Sequence, residues 1–392
     1  MASARLIALT MVKKIYLDNA ATTCIDPLVA DEMIRVIRDC YGNPSSIHGH
    51  GREARAVIEK ARKKIADLLH ASPAEIFFTS GGTEADNMAI RCSVEDLGIR
   101  HIISSRIEHH AVTHTLEALE KKGKAKVSWI KIDAEGHVDL DDLRRLLSEN
   151  ERSLVSLMHG NNEIGTMIPL AEIGNICKEY DAIFHSDTVQ TMAHFPFDLR
   201  QLYVHFVTCS AHKFHGPKGI GFLYVNSGIR ISPYITGGAQ ERNMRAGTEN
   251  IYGIAGLAKA FELAHEHMEE HHAYILGLKN YMKERLEEEI DGVRFNGDCS
   301  DNSLYTILNV CFPPSPDSEM FLMKLDIMGI SASGGSACSS GSNVGSHVLT
   351  ALGVPENRPN IRFSFSRFNT KEEIDYVMEV LKKMYSPKPA HV

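Results

Sequence analysis

Ile76-Phe77-Phe78-Thr79-Ser80-Gly81-Gly82-Thr83-Glu84-Ala85-Asp86-Asn87-Met88-Ala89-Ile90 decides how the chain folds. Its apolar start shows no polar alternation, so it reads as a strand buried on both faces. A glycine pair and a threonine then open a helix-like segment, which makes the strand–turn–helix unit of an α/β protein. Working outward, residues 101–103, 126–130, 154–158, 182–184 and 205–207 repeat the short buried-strand pattern. Helix-like segments over 139–149 and 170–180 separate several of them. This alternation predicts an α/β fold with a largely parallel sheet covered by helices on both faces. The polar stretch from about Gly256 to Glu289 reads as one long bridging helix, and the remainder as a smaller α+β unit. The expected division is a large domain over 21–265 and a small domain made of 1–20 and 266–392.

The composition suits such a protein and excludes several others. The chain has 392 residues, 43% of them apolar and 23% charged, enough material for a sizeable core. Forty-two basic against fifty acidic side chains give a net charge of -8, so no global positive field draws the protein to nucleic acid or to an anionic membrane. No apolar run approaches the ~18 residues a membrane span needs. Met1 to Val12 has a short apolar stretch behind Arg5 but lacks the small-residue cleavage site of a secretory signal. Eight cysteines are dilute and form no CxxC pair, which points to a reducing, cytoplasmic compartment. Twenty histidines are the one compositional anomaly.

In an open parallel sheet the ligand site lies beyond the carboxyl ends of the strands. Four strand exits carry unusual chemistry. The Gly81-Gly82-Thr83 turn offers free backbone N–H groups and the positive end of a helix, which suit a phosphate, although an ordinary Thr-capped turn looks the same. After residues 101–103 comes Glu108-His109-His110, where a histidine can stack on a flat ring or move a proton, or simply face solvent. Asp187 ends the strand Ile183-Phe184-His185-Ser186, and a buried carboxylate needs a positive partner, either a protonated ring nitrogen or a structural arginine. Lys213 follows Phe206-Val207-Thr208-Cys209-Ser210-Ala211-His212. Burial there can hold its amine neutral and ready to form a Schiff base, whereas alone it would read as a surface lysine ahead of a Gly-Pro turn. Together the four exits describe a pocket for pyridoxal 5'-phosphate. A dinucleotide site would require GxGxxG after an early strand, and none is present.

At these residues the chain resembles the class V aminotransferase-like enzymes, and within them the cysteine desulfurases of the kind that supply sulfur to iron–sulfur clusters. The resemblance runs from about Tyr16 to Ile374. Its motifs are Tyr16-Leu17-Asp18-Asn19-Ala20-Ala21-Thr22-Thr23, Gly42-Asn43-Pro44-Ser45-Ser46-Ile47-His48, Thr79-Ser80-Gly81-Gly82-Thr83-Glu84, Glu108-His109, Asn161-Asn162-Glu163-Ile164-Gly165, Asp187 with Gln190, and Ser210-Ala211-His212-Lys213. Gly237-Gly238-Ala239-Gln240-Glu241-Arg242, Gly247-Thr248, Gly335-Ser336-Ala337-Cys338 and Ile361-Arg362-Phe363-Ser364 follow in the family's order. It implies a fold type I, pyridoxal-phosphate-dependent transferase that acts as a homodimer. Lys213 would hold the cofactor aldehyde, His109 would stack on the ring, and Asp187 would pair with the pyridinium nitrogen. Asn162 and Gln190 would contact the ring hydroxyl side. Gly82, Thr83, Ser210 and His212 would hold the phosphate, with Thr248 arriving from the neighbouring subunit. Arg362 would clamp the substrate α-carboxylate, a bidentate task suited to guanidinium, with Asn19 close by.

Cys338 decides the reaction that the resemblance implies. It lies in Ser333-Gly334-Gly335-Ser336-Ala337-Cys338-Ser339-Ser340-Gly341-Ser342, where every other residue is small and none can hide a thiol. An accessible thiolate is the best protein nucleophile near neutral pH. Cys338 would take the sulfur of L-cysteine as a persulfide, release L-alanine, and pass the sulfur to an acceptor such as an iron–sulfur scaffold protein. Selenocysteine lyases and other class V transaminases or lyases use the same scaffold and form the alternative. The family commonly has proline after Ala-Thr-Thr, where this chain has Cys24. His267 and His271 share a helix face at i, i+4, but no third ligand type lies near, so no metal is expected.

Overall fold

The computed structural model describes residues 14–314, 318–334, 345–355 and 357–385. Among them the strands are, in chain order, β1 (Ile15–Tyr16), β2 (Ile76–Thr79), β3 (His101–Ser104), β4 (Lys126–Trp129), β5 (Ser153–Ser156) and β6 (Ile183–Asp187). Then come β7 (Phe206–Ser210), β8 (Gly221–Val225), β9 (Arg294–Asn296), β10 (Ile307–Cys311), β11 (Ile330–Ser331) and β12 (Asn360–Ser364).

Seven strands form the central sheet in the order β2-β8-β7-β6-β5-β3-β4. From β4 to β7 every pairing is parallel, whereas β8 runs antiparallel to both β2 and β7. All residues of β5, β6 and β7 are buried, which is why their sequences show no alternation. Phe78, Phe184 and Val207 point into one apolar layer, under helices Pro27–Asp39, Gly49–Leu68 and Ile251–Glu266. Phe77, Ile102 and Leu223 point into the other, under helices Gly82–Glu95 and His110–Lys121. The sheet therefore has helices on both faces, the arrangement that the alternation of strands and helices predicts.

Two elements depart from the sequence expectation. The sequence does not predict β8, because it opens on Gly221 straight after a Gly-Pro-Lys-Gly turn that reads as loop. Glycine is needed there: a Cβ on Gly221 would lie 2.2 Å from the carbonyl oxygen of Cys209. The single long bridge from Gly256 to Glu289 is corrected to two helices, Ile251–Glu266 and Met268–Glu289, which meet at a non-helical His267. The first is apolar almost all round and sinks into the layer beside the central sheet. The second buries a single stripe, Ile275, Leu278, Met282 and Leu286, in a different core. The chain has to turn where its packing partner changes.

That second core lies between helices Met268–Glu289 and Lys371–Tyr385 and the antiparallel sheet β12-β10-β9. The first described strand joins it, since β1 pairs in parallel with β11, and Asp18 bridges to Ser364 of β12. No described helix is long and apolar enough to cross a membrane.

Candidate active site

Strands β2, β6 and β7 run in the same direction and end at one edge of the central sheet, where a cavity of about 230 Å³ opens. All the cofactor and substrate residues expected from the sequence line it except Asn19 and Thr248, while Cys338 lies outside the described residues.

One end of the cavity is built for an anion. Gly81 takes φ +147°, a conformation open to glycine, and caps helix Gly82–Glu95 without any side-chain hydrogen bond. The first N–H groups of the helix are thus left for a ligand, at the positive end of its dipole. A Cβ on Gly82 would stand 2.8 Å from Val189 Cγ2, so a larger residue would crowd the cradle. Ser210, at the end of β7, and His212 close the same hollow together with Lys218. His212 Nδ1 lies 3.1 Å from Thr22 Oγ1, and burial, aided by Lys213 and Lys218, pushes the ring down to about 4, so it is neutral at pH 7.

The floor is acidic. Asp187 ends β6, is 6% exposed, and accepts a hydrogen bond from Val189 N at 2.9 Å. Burial, and then the nearby Asp86, push its carboxyl up to about 7. A buried acid in this condition is stabilised by a cationic donor, and a protonated ring nitrogen lying in the cavity supplies one. His109 is the N-cap of helix His110–Lys121, with Nδ1 accepting from Ala111 N at 3.1 Å. That bond leaves Nε2 as the protonated nitrogen. Burial, then Lys213, lower its pKa to about 4, so the ring meets a ligand as a neutral plate. These features fit pyridoxal phosphate: an uncapped glycine turn for phosphate, a buried acid with a raised pKa for the pyridine nitrogen, and a flat imidazole between.

Lys213 closes the short turn after β7, and its Nζ donates to the carbonyls of Ala20 at 2.6 Å and Ala21 at 2.9 Å. Gln190 Nε2 donates to the same Ala20 oxygen at 3.0 Å. Arg362, 1% exposed in the middle of β12, reaches across from the other core. It donates from Nη1 to Asn162 O at 2.7 Å and from Nη2 to Asp18 Oδ1 at 2.8 Å, while its buried Nε has no partner.

The remaining expectations fall elsewhere. The Asn19 amide donates to Ser364 O at 2.8 Å and Asn369 Oδ1 at 3.2 Å, so it braces β12 instead of facing the cavity. Thr248 is exposed in a separate hollow beside Ser80, Gly219 and Arg245. Cys24 is exposed, with Sγ 3.9 Å from His215 Nδ1. Sequence reading misses Thr22, Lys218 and Asp86 as wall residues. Thr22 stands inside a family motif, but nothing in a lysine after a Gly-Pro turn or an aspartate inside a helix marks the other two. Among the described residues the only metal-like grouping is Asp86, His109 and Asp187 inside this same cavity, and the stretch His265 to His272 forms none.

Comparison with known proteins follows the same lines. The Aminotransferase class-V family profile matches residues 15–377. The cysteine desulfurase IscS of Dictyoglomus turgidum is 45% identical over 378 residues, which cover 95% of each chain. A solved NifS-like protein superposes with a TM-score of 0.88 at 39% identity, covering 95% of this chain and 99% of that one. SspA, solved in complex with cysteine, superposes with a TM-score of 0.77 at 32% identity, covering 91% of this chain and all of that one, 100%.

Proposed function

The chain belongs to the class V aminotransferase family, and we infer that it is a pyridoxal-phosphate-dependent cysteine desulfurase, which turns L-cysteine into L-alanine and moves the sulfur to an enzyme thiol. The observation that carries this reading is the convergence of Lys213, Asp187, His109 and the uncapped glycine turn on one cavity that Arg362 also reaches.

Pyridoxal phosphate, when bound, supplies an aldehyde for amines and a ring that takes up the electrons freed at the substrate α-carbon. The chain does the rest. Lys213 would hold the aldehyde, and its amine would move the substrate α-proton. Asp187 would pair with the ring nitrogen and hold a proton there. Neutral His109 would stack on the ring, with its Nε2–H free to donate. Arg362 takes the substrate carboxylate with its unsatisfied Nε and an adjacent N–H, which sorts amino acids by their acid end. The thiolate of Cys338 attacks the substrate sulfur, the C–S bond breaks, and after protonation alanine leaves while Cys338 retains the sulfur as a persulfide.

Three further parts belong to the reading. The enzyme acts as a homodimer, supported by the exposed apolar residues Leu28, Ile34, Ile37, Tyr41 and Ile47, of which Ile47 is 92% exposed. A second copy on that face would cover them and would deliver its Thr248 to the phosphate end. Seven free thiols among the described residues support a reducing, cytoplasmic setting. The acceptor is a thiol-bearing protein, such as an iron–sulfur scaffold.

The test is mass spectrometry of the cofactor-loaded protein after incubation with L-cysteine, with alanine measured in parallel. One added sulfur on the peptide containing Cys338, absent in Cys338→Ala, is expected. Alanine formed at the wild-type rate by Cys338→Ala would overturn the assignment of the nucleophile.

A further inference from the structure

A second buried carboxyl, Asp86, lies at the floor of the cavity, one turn into helix Gly82–Glu95 and 1% exposed. Its Oδ1 is buried and has no hydrogen-bond partner. His185 Nε2 stands 3.4 Å from that oxygen. His185 is fully buried on β6, two residues before Asp187 and so on the same face of the strand. Its Nδ1 meets Ser156 Oγ at 2.9 Å, and its Nε2 also meets Thr208 Oγ1 at 3.2 Å. Ligand atoms of Asp86, Asp187 and His109 all lie within 4.8 Å of one another. Glu108, 1% exposed and with Oε2 unpartnered, is a third buried acid, whose ionisation Asp187 and Asp86 oppose.

Carboxyls this close and this dry do not ionise together; one takes the charge and its neighbour keeps a proton. Asp187 is the member suited to the charge, because it accepts the Val189 N–H and faces the cavity, where Lys213 also favours its anion. We propose that Asp86 is a positioning residue that keeps its proton on Oδ1 and donates it to His185 Nε2, leaving Asp187 as the single anion beneath the cofactor nitrogen. The bond satisfies the buried, unpartnered Oδ1 of Asp86. It also sets His185 as the Nδ1–H tautomer, which donates to Ser156 Oγ. This inference rests on the pyridoxal phosphate reading of the cavity.

The test compares wild type, Asp86→Asn and Asp86→Leu, each titrated with pyridoxal phosphate and then scanned by absorbance across pH. The readouts are the cofactor dissociation constant and the pH midpoint of the bound cofactor band. Asparagine keeps a neutral N–H donor toward His185, so it should match wild type within about threefold in affinity and well within one pH unit at the midpoint. Leucine keeps the volume without the donor and should weaken binding by about tenfold or more. A downward midpoint shift of about one unit or more in Asp86→Asn would mean that a negative charge had been removed, and would overturn the proposal. So would equal binding by Asp86→Leu and wild type. A wild-type protein that takes up no cofactor would overturn the functional reading itself, an outcome distinct from the other two.

Discussion

Asp187 shows what one side chain can report about an absent partner. In the unfolded chain its carboxyl titrates near 3.9, against about 7 in the folded pocket. An acid raised on folding costs nothing at a pH below both values, and it costs progressively more as the unfolded state ionises first, between about pH 4 and 7. Cofactor-free Asp187→Asn should therefore be more stable than cofactor-free wild type by about 2–4 kcal/mol at pH 8, with the gap shrinking toward pH 5, measured by urea unfolding. With the cofactor bound the order should reverse. Lys213→Ala should lose the Schiff-base absorbance and slow alanine formation by about 10²–10⁴-fold or more, read by a spectrum and a product assay. At this scale the sequence is informative wherever chemistry is rare: a lysine, an aspartate and a histidine at the exits of buried strands serve few purposes in combination besides gripping a charged, flat ring. It is blind where a common residue acquires its role by placement. Asp86 looks like any helix aspartate until β6 is brought beneath it, and Asn19 sits in a site motif yet braces a strand.

At the scale of elements, the readable strands are those whose apolar runs need no alternation, and the unreadable one of the central sheet is β8. Its Gly221 belongs to a turn by composition and to a ladder by contact, since its missing side chain lets Cys209 O approach. Gly221→Ala should cost about 1–3 kcal/mol or block folding, seen as a lowered urea midpoint with an unchanged slope if the fold survives. The turn at Glu241, Arg242 and Asn243 is equally hidden, because three consecutive positive φ values, 44°, 56° and 64°, have no composition signal. They are held by contacts from far away in sequence. Arg62 grips Glu241 with two hydrogen bonds of 2.9 and 2.8 Å, and Glu241 also takes the backbone N–H of Phe78 at 2.8 Å. Both side chains are buried, at 2% and 3% exposure, so removing either charge leaves the other stranded.

For the whole molecule, the excess of histidine turns out to be largely an internal matter. Burial lowers His109, His159, His185, His194, His205 and His212 to about 4, and His215 to about 3. A base with a depressed folded pKa lends full stability above its unfolded value near 6.5 and loses it as pH falls toward the folded one. Each is worth about 1–3 kcal/mol over that window. The melting temperature of the cofactor-loaded enzyme should therefore drop steeply between about pH 6.5 and 5 in calorimetry, a window in which ordinary carboxylates barely titrate. The apolar face of helix Pro27–Asp39 sets the other global expectation. Ile37→Glu, at a residue 54% exposed, should convert a dimer to a monomer in sedimentation and weaken cofactor binding by removing the neighbouring Thr248.

The site is also stitched from segments far apart in the chain. Lys213 leans on carbonyls of Ala20 and Ala21, and Arg362 is tied to Asp18, 344 positions earlier. During synthesis on the ribosome, Asp18 therefore emerges long before its arginine exists, while the anion cradle and the acidic floor are translated in between. A nascent chain can shape most of a place for the aldehyde without yet owning the guanidinium that would admit an amino acid. Sulfur chemistry is thus deferred until Arg362 itself has been translated, by the connectivity of the chain alone.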